Sequence, residues 1–299
     1  MNKTIKTSIK NIGDPFILPY KGIYYHYSTS DSKGFIVYQS KDLIEWERLG
    51  YCYTDSKVGY MDFWAPEVFE HYGNFYMFFT AKNKERDTLL LNVAVADSPV
   101  GPFTDVFDKP TFDFGYAAID ATIFKDDDGS IYMYYVRDCS QNIVNGVHTS
   151  QIYGVKLKDN LIEVDGEPVM LLSPQGSNEQ RDPLWQWNES PAMLKHNGKY
   201  YLSYSSNFFA DKNYSVSYAV ADHPLGIYHK ANHNPILKFI EGETSGPGHN
   251  MYFKTFDGKK LTAYHIHTDI AHPSGNRRTC FSPYEFKNEV LIIDYNMKE

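Results

Sequence analysis

The chain has 299 residues, of which 42% are hydrophobic and 22% charged, and its formal net charge is −8. This acidic balance, with no local run of Lys or Arg, excludes the basic surface that nucleic-acid binding requires. No stretch approaches the roughly 18 consecutive apolar residues of a membrane-spanning helix, so neither nucleic acid nor a membrane is an expected partner.

Aromatic residues make up 16% of the chain, with 25 Tyr and 19 Phe. Such residues favour pleated, half-buried surfaces, which indicates strands. The 3 cysteines show no Cys-x-x-Cys spacing, so buried thiols are expected rather than disulfides or a zinc site. The segment from Met1 to Lys6 lacks the apolar stretch of a signal peptide. A cytoplasmic location is therefore expected, and a secreted protein whose signal has been removed is the alternative.

In chain order, one unit recurs five times: an apolar strand, a turn centred on glycine, and a second strand usually rich in Tyr. The units start 51, 55, 69 and 60 residues apart. Alternating apolar residues on both sides of a Gly, Asn or Asp turn are typical of a β-hairpin. The five hairpins begin at Asp14, Ala65, Asp120, Glu189 and His249 and turn at Gly22, Gly73, Gly129, Gly198 and Gly258.

The outer halves of the units also resemble one another, as residues 94–101 and 219–226 show with their shared Ala-Val-Ala-Asp start. Two hairpins per unit give four antiparallel strands in roughly 50–70 residues, which is the size of a propeller blade. The sequence therefore predicts an all-β, five-bladed β-propeller without long helices, forming a single catalytic domain over residues 1–299. A β-sandwich, the rival architecture, would not repeat one hairpin five times.

The starts of the units carry charged side chains. In a propeller the first strand of each blade lines the central channel, so these positions are expected to meet at one mouth. Asp14, Asp120, Glu189 and His249 occupy them, and Trp64 flanks the corresponding place in the second unit. Clustered acids fit glycoside hydrolysis, in which one carboxylic acid protonates the leaving oxygen and one carboxylate activates water or attacks the sugar. A third acid would hold the proton on the first, because neighbouring like charges raise a pKa.

Five motifs, in this order along the chain, resemble glycoside hydrolase family 43. They are Gly13-Asp14-Pro15-Phe16, Phe63-Trp64-Ala65-Pro66-Glu67-Val68, Ile119-Asp120-Ala121-Thr122, Glu189-Ser190-Pro191 and Gly246-Pro247-Gly248-His249-Asn250. The resemblance implies a five-bladed propeller and an inverting mechanism, with the acid and base carboxyl groups roughly 6.5–9.5 Å apart. The family often has Arg before the first Asp and Gly after the Glu, where this chain has Gly13 and Ser190.

Carried over onto these motifs, the resemblance implies catalytic roles for three acids. Asp14 is similar to the general base and Glu189 to the general acid. Asp120 is similar to the residue that orients the acid and tunes its pKa. No cofactor is required for this chemistry.

The resemblance also implies substrate-binding residues. Phe63 and Trp64 are similar to the apolar wall of the terminal-sugar subsite. His249 is similar to a channel histidine that in many members lies near a central, structural calcium or its waters. Either Arg277 or Arg278 matches a family arginine that reaches the acid pocket or the sugar.

Two long connections, residues 137–150 and 173–188, are expected to form walls of the pocket. The second carries Trp185 and Trp187, whose flat rings suit the apolar faces of sugars, and Trp187 is predicted to bind substrate.

The expected function is release of a terminal pentose from hemicellulose or arabinan oligosaccharides, by an α-L-arabinofuranosidase or a β-D-xylosidase. Short linkers between the units favour action at chain ends. An endo-arabinanase, which needs an open cleft, and a catalytically silent sugar-binding propeller are the alternatives. The sequence leaves open the pentose, the linkage and the oligomeric state.

Overall fold

The computed structural model describes residues 4–295, which form 22 β-strands and, within that range, no helix. This part of the chain accordingly contains no helical segment of the length and apolarity needed to cross a bilayer.

The first three blades follow one another along the chain. Blade 1 contains β2 (Gly13–Tyr20), β3 (Ile23–Thr29), β4 (Phe35–Ser40) and β5 (Glu47–Tyr53). Blade 2 contains β6 (Met61–His71), β7 (Asn74–Asn83), β8 (Thr88–Ala96) and β9 (Thr104–Asp105). Blade 3 contains β10 (Ala118–Lys125), β11 (Ile131–Arg137), β13 (Val147–Leu157) and β14 (Val169–Leu172), with the short β12 (Ile143–Val144) paired to β13.

The last two blades differ in that blade 4 is continuous in sequence, whereas blade 5 includes a strand from the other end of the chain. Blade 4 contains β15 (Trp185–His196), β16 (Lys199–Ser206), β17 (Ser215–Ala221) and β18 (His229–Lys230). Blade 5 contains β19 (Gly248–Lys254), β20 (Lys260–His267) and β21 (Arg277–Lys287), and its further strands are β1 (Ile5–Lys10) and β22 (Val290–Ile293), both paired to β21. Because β1 precedes blade 1 in the chain, its pairing with β21 fastens the two ends of the propeller together.

The core consists of five apolar clusters, and each lies between two neighbouring blades. Blades 1 and 2, 2 and 3, 3 and 4, and 4 and 5 share one cluster each. The fifth cluster packs Ile17 of blade 1 against Phe281 of blade 5, which closes the circle. The five-bladed propeller predicted from the repeats is confirmed, and all three cysteines are buried and free as expected. The single-domain boundary at residues 1–299 stays a prediction.

Each inner strand contains the same bulge close to its start. The pairing register shifts there in every blade, and the chain passes through a positive φ. Bulges of this kind bend a strand and re-aim its side chains. The bulge residues are Asp14 (φ 54°), Ala65 (45°), Asp120 (56°), Ser190 (54°) and His249 (49°). The repeat phase assigned from the sequence is therefore wrong by one residue in blade 4, where Glu189 precedes the bulge and Ser190 occupies it.

Hydrogen bonds from these bulges join consecutive blades around the mouth of the channel. Four of the five bulge N–H groups donate to a side chain on the second strand of the preceding blade: Asp14 to His265 Nδ1 (3.2 Å), Ala65 to Thr29 Oγ1 (2.8 Å), Asp120 to Thr80 Oγ1 (3.2 Å) and His249 to Ser205 Oγ (2.8 Å). In blade 3 the corresponding residue is Val136, which has no side-chain acceptor. There the Ser190 N–H donates to Asp120 Oδ2 at 3.0 Å, so the Asp120 carboxylate links blades 3 and 4.

A buried ion pair anchors the connection that precedes β15. Lys230 Nζ contacts the Glu179 carboxylate and donates to Asn188 Oδ1 (2.9 Å) and the Ser173 carbonyl (2.7 Å). Glu179 also accepts a hydrogen bond from the buried Tyr204 hydroxyl at 2.7 Å. These contacts fasten residues 173–188 to the outer strand of blade 4.

Replacing Lys230 with Met should lower the free energy of unfolding by about 3 kcal/mol, because it leaves the Glu179 carboxylate buried without its cation. Chemical denaturation measures this. The matched control is Lys158→Met, which removes the ion pair between Lys158 and Glu163. Both of these side chains are about half exposed, and exposed ion pairs contribute little to stability. Equal effects of the two substitutions would show that the Lys230 contacts do not stabilise the fold.

Candidate active site

A pocket of about 350 Å³ opens where the inner strands begin. It brings together six of the sequence-predicted site residues from blades 1, 3, 4 and 5, and a seventh, Trp64, from blade 2. The six are Asp14, Asp120, Trp187, Glu189, His249 and Arg277. The connections at residues 137–150 and 173–188 contribute Asp138, Ser140 and Trp187 to the walls, as predicted.

Phe63 does not line this pocket, contrary to the sequence-based expectation. It is 5% exposed and packs in the core between blades 1 and 2, with its ring 6.1 Å from that of Phe35. Successive side chains of a strand point to opposite sides, so Phe63 and Trp64 cannot both face one cavity. Of these two residues, only Trp64 lines the pocket.

Asp14 lies among cationic and hydroxyl donors. Arg277 Nη1 donates to its Oδ1 at 2.8 Å, and His249 Nδ1 lies 3.1 Å from the same oxygen. Thr29 Oγ1 donates to Oδ2 at 2.6 Å. Burial raises the pKa of Asp14, but Arg277 and His249 outweigh it and hold the pKa well below its usual value. Asp14 is therefore ionised at neutral pH.

Arg277, rather than Arg278, is the arginine of the pocket. A glycine makes room for it: a Cβ on Gly13 would lie 2.0 Å from the guanidinium carbon. Many family members have an arginine before the first Asp, where this chain has Gly13. The guanidinium of Arg277 fills the space that a side chain at position 13 would take. The guanidinium also stacks 5.0 Å from the ring of Phe209.

Glu189 holds its proton at neutral pH. Burial, reinforced by the negative charge of Asp120, raises its pKa to about 8. The hydroxyl of Tyr214 donates to Glu189 Oε1 at 2.9 Å. A Cβ on Gly248 would lie 2.0 Å from the Tyr214 ring, so the glycine of the fifth motif lets this tyrosine approach the acid. Burial likewise raises the pKa of Asp120, to about 6.

The charge of His249 acts on all three predicted catalytic acids, Asp14, Asp120 and Glu189. Its Nδ1 lies 2.8 Å from Ser190 Oγ as well as near Asp14. Burial lowers its pKa, but the charge and hydrogen bond of Asp14, together with the charges of Asp120 and Glu67, outweigh burial and raise the pKa to about 9. A cationic imidazole here compensates part of the negative charge that Asp14 and Asp120 carry.

A calcium ion beside His249 is one of the expectations from the sequence. Calcium binds through several oxygen ligands, yet residues 4–295 contain no cluster of three or more His, Cys, Asp or Glu side chains suited to a metal. The buried carboxyl of Glu67 accepts a hydrogen bond from Thr122 Oγ1 at 2.7 Å, and burial raises its pKa to about 8. No role of the site is assigned to a metal, and the channel calcium stays an expectation.

Tyr214, Thr29 and Asp138 belong to the site but were missed from the sequence. The propeller fold explains the positions of Thr29 and Asp138. Thr29 is the last residue of β3, and Asp138 directly follows β11, so each lies at the channel end of the second strand of its blade. Asp138 adds a negative charge that helps to raise the pKa of Glu189. Tyr214 reaches the acid from the residue just before the third strand of blade 4, and no local pattern marks it.

The raised pKa of Glu189 predicts that this residue destabilises the fold at neutral pH. An unfolded glutamate has a pKa of about 4.3, so between pH 4.3 and about 8 the folded chain retains a proton that the unfolded chain releases. Stability is therefore lost as the pH rises through this window. Glu189→Gln should raise Tm at pH 7.5 and have almost no such effect at pH 4. Calorimetry at the two pH values measures this, and an equal change at both would contradict the raised pKa.

The family of the chain follows from comparison with known proteins. Residues 8–291 match the model for "Glycosyl hydrolases family 43". A solved thermostable family-43 glycoside hydrolase is 40% identical, with a TM-score of 0.95 over 98% of this chain and 96% of that one. A solved endo-1,4-beta-xylanase from Bacteroides thetaiotaomicron is 30% identical, with a TM-score of 0.83 over 99% and 97% of the two chains.

Curated relatives are less similar. The beta-D-galactofuranosidase xynD of Aspergillus niger is 27% identical over 92% of this chain and 78% of its own length. A beta-xylosidase of Xylanibacter ruminicola is 29% identical over 54% of each protein, so this chain matches about half of that relative. With the family model covering nearly the whole chain, the protein belongs to glycosyl hydrolase family 43 and is a glycoside hydrolase.

Proposed function

We propose that the protein is an inverting hydrolase that removes a single terminal pentose, as an α-L-arabinofuranosidase or a β-D-xylosidase. The observation that carries this proposal is the opposite protonation of two carboxyl groups in one pocket. The pKa of Asp14 is well below its usual value, whereas that of Glu189 is about 8. Glycoside hydrolysis needs one ionised and one protonated carboxyl group.

Asp14 acts as the general base on the attacking water. Its Oδ2 accepts one hydrogen bond from Thr29, and a carboxylate oxygen has a second lone pair with which it can accept a proton from water. Arg277 and His249 hold the carboxylate in place through Oδ1. The base is thereby kept ionised and oriented before substrate arrives.

Glu189 acts as the general acid that protonates the glycosidic oxygen. Burial, reinforced by the negative charge of Asp120, keeps that proton on Glu189 at neutral pH. The Asp120 carboxylate is itself fixed by hydrogen bonds from the Ser190 N–H (3.0 Å) and hydroxyl (3.3 Å). Because Ser190 follows Glu189 directly, these bonds also fix the backbone that carries the acid.

The size of the pocket favours release of one sugar. At about 350 Å³ it lies at the low end of ligand sites, which span roughly 300–1,000 Å³. Two relatives are named exo-alpha-(1->5)-L-arabinofuranosidase, which agrees with a pocket rather than an open groove. A catalytically silent sugar-binding propeller would have no need for paired acid and base.

Hydrolysis of aryl α-L-arabinofuranoside, aryl β-D-xyloside and aryl β-D-galactofuranoside, measured side by side, tests the proposal. Release of arabinose or xylose is expected, and the faster reaction identifies the pentose. Preferred release of galactose would move the substrate to a hexofuranoside. If none is hydrolysed while arabinan or xylan is cut into long fragments, the enzyme is an endo-hydrolase and the pentosidase proposal fails.

A further inference from the structure

A second cleft, of about 670 Å³, adjoins the catalytic pocket and shares Trp187 and Phe208 with it. We propose that this cleft binds the leaving-group part of the substrate, a neutral oligosaccharide of at least two further sugar units. The inference rests on the proposed function, because it extends the same substrate out of the terminal-sugar pocket.

A row of aromatic rings leads from the catalytic pocket into the cleft. We call His148, Trp185, Trp187, Phe208 and Phe209 the aromatic row. The centroid separations along it are 4.8 Å for Phe209 and Phe208, 5.6 Å for Phe208 and Trp187, 6.4 Å for Trp187 and Trp185, and 3.9 Å for Trp185 and His148. The planes of Trp185 and Trp187 differ by 17°. The planes of Trp185 and His148 differ by 10°, but those of Trp187 and Phe208 differ by 41° and those of Phe208 and Phe209 by 57°. Flat aromatic rings along a cleft suit the apolar faces of sugars.

Three rings of the aromatic row, those of His148, Trp185 and Trp187, stand on strands, whereas Phe208 and Phe209 lie in the turn that follows β16. Trp185 and Trp187 are two residues apart on β15, so they face the same side. The start of β15 pairs in parallel with β13, which sets Trp185 opposite His148. Asp182 Oδ1 accepts hydrogen bonds from the N–H groups of Leu184 (2.8 Å) and Trp185 (2.9 Å), which fixes the entry to the strand. A rigid platform avoids the entropy cost of ordering on binding.

Exposure of these rings indicates that a ligand covers them. Trp185 is 38% exposed and Phe208 is 44% exposed, although both line a concave cleft. Exposed apolar surface beside a functional pocket is typical of a binding site. The volume of about 670 Å³ falls within the range of small-molecule sites, about 300–1,000 Å³.

The polar residues of the cleft favour a neutral ligand. Arg181, Asp182, Asp211 and Asn213 line it, so it carries two carboxylates and one guanidinium. Carboxylates and amides accept hydrogen bonds from sugar hydroxyl groups, and the surplus of negative charge disfavours acidic ligands. The cleft therefore suits an uncharged xylo- or arabino-oligosaccharide.

Trp185→Ala tests the cleft, with Trp185→Phe as the conservative variant. Phe256→Ala is the matched control, because Phe256 is a 51% exposed aromatic residue beside the β19–β20 turn, away from both cavities. In the Glu189→Gln background, calorimetry measures binding of β-1,4-xylotriose and α-1,5-arabinotriose. Trp185→Ala should weaken binding of the preferred trisaccharide about tenfold, or about 1.4 kcal/mol. Trp185→Phe should restore most of it, and Phe256→Ala should change nothing.

Kinetics with Glu189 intact separates the cleft from the catalytic pocket. Trp185→Ala should raise KM for the trisaccharide at least fivefold more than KM for the aryl pentoside. Equal changes for both substrates, no change in trisaccharide affinity, or no binding of either trisaccharide would overturn the inference.

The two proposals fail separately. If no pentoside is hydrolysed but Trp185→Ala still weakens trisaccharide binding, the cleft stands and the pentosidase proposal falls. If pentosides are hydrolysed and trisaccharide affinity does not depend on Trp185, the pentosidase proposal stands and the cleft falls.

Discussion

Glu189→Gln is expected to lower kcat/KM for an unactivated pentose-capped oligosaccharide by about 10²–10⁴-fold, the usual contribution of a general acid. Gln has nearly the shape of Glu but no proton to transfer to the leaving oxygen. The Tyr214 hydroxyl can still donate to the amide oxygen, so the pocket should keep its form. Steady-state kinetics with a xylo- or arabino-oligosaccharide measures the loss.

The leaving group supplies the control for this variant. A dinitrophenyl pentoside needs little protonation, so its loss should be far smaller than that of the oligosaccharide. The alkaline fall in kcat/KM, expected near pH 8 from the pKa of Glu189, should also disappear. Equal losses for good and poor leaving groups would show that Glu189 is not the general acid.

Asp14→Asn is expected to lower kcat/KM by about 10²–10⁴-fold for every substrate, whatever its leaving group. Attack by water requires a base in each case, and an amide cannot accept the proton. The substitution also leaves Arg277 and His249 beside a neutral group, so the pKa of His249 should fall from its value of about 9. NMR titration of that histidine detects the change independently of activity.

The dependence on leaving group distinguishes the two variants. If Asp14→Asn spares activated aryl pentosides as Glu189→Gln is expected to do, the roles of base and acid have been assigned wrongly. If Asp14→Asn retains most of its activity on all substrates, another group activates the water.

The fold was predictable because each blade repeats one hairpin, and the turns at glycine fix the period. The closing strand was not, since β1 pairs with β21 across almost the whole chain and has no hairpin of its own. The one-residue error in aligning the blade 4 repeat at Glu189 also required the structure to correct. A bulge adds a residue to the strand, and sequence spacing does not show on which residue the bulge falls.

The acids of the site were predictable because the propeller brings the starts of its inner strands together. Tyr214 was not, since it directly precedes a third strand and reaches Glu189 only past Gly248. The choice between Arg277 and Arg278 also required the structure, because the space over Gly13 decides it. Phe63 was misassigned because it was carried over together with Trp64, although adjacent residues of a strand point to opposite sides.

The anomeric form of the first sugar released tests the central claim most directly. Proton NMR is recorded during the first minutes of hydrolysis of whichever aryl pentoside the enzyme accepts, before the free sugar equilibrates. With Asp14 as a base acting on water and Glu189 as the acid, the first product should have the inverted configuration: α-D-xylose from a β-xyloside, or β-L-arabinofuranose from an α-arabinofuranoside. A first product of retained configuration would contradict this account, because it would require a covalent intermediate.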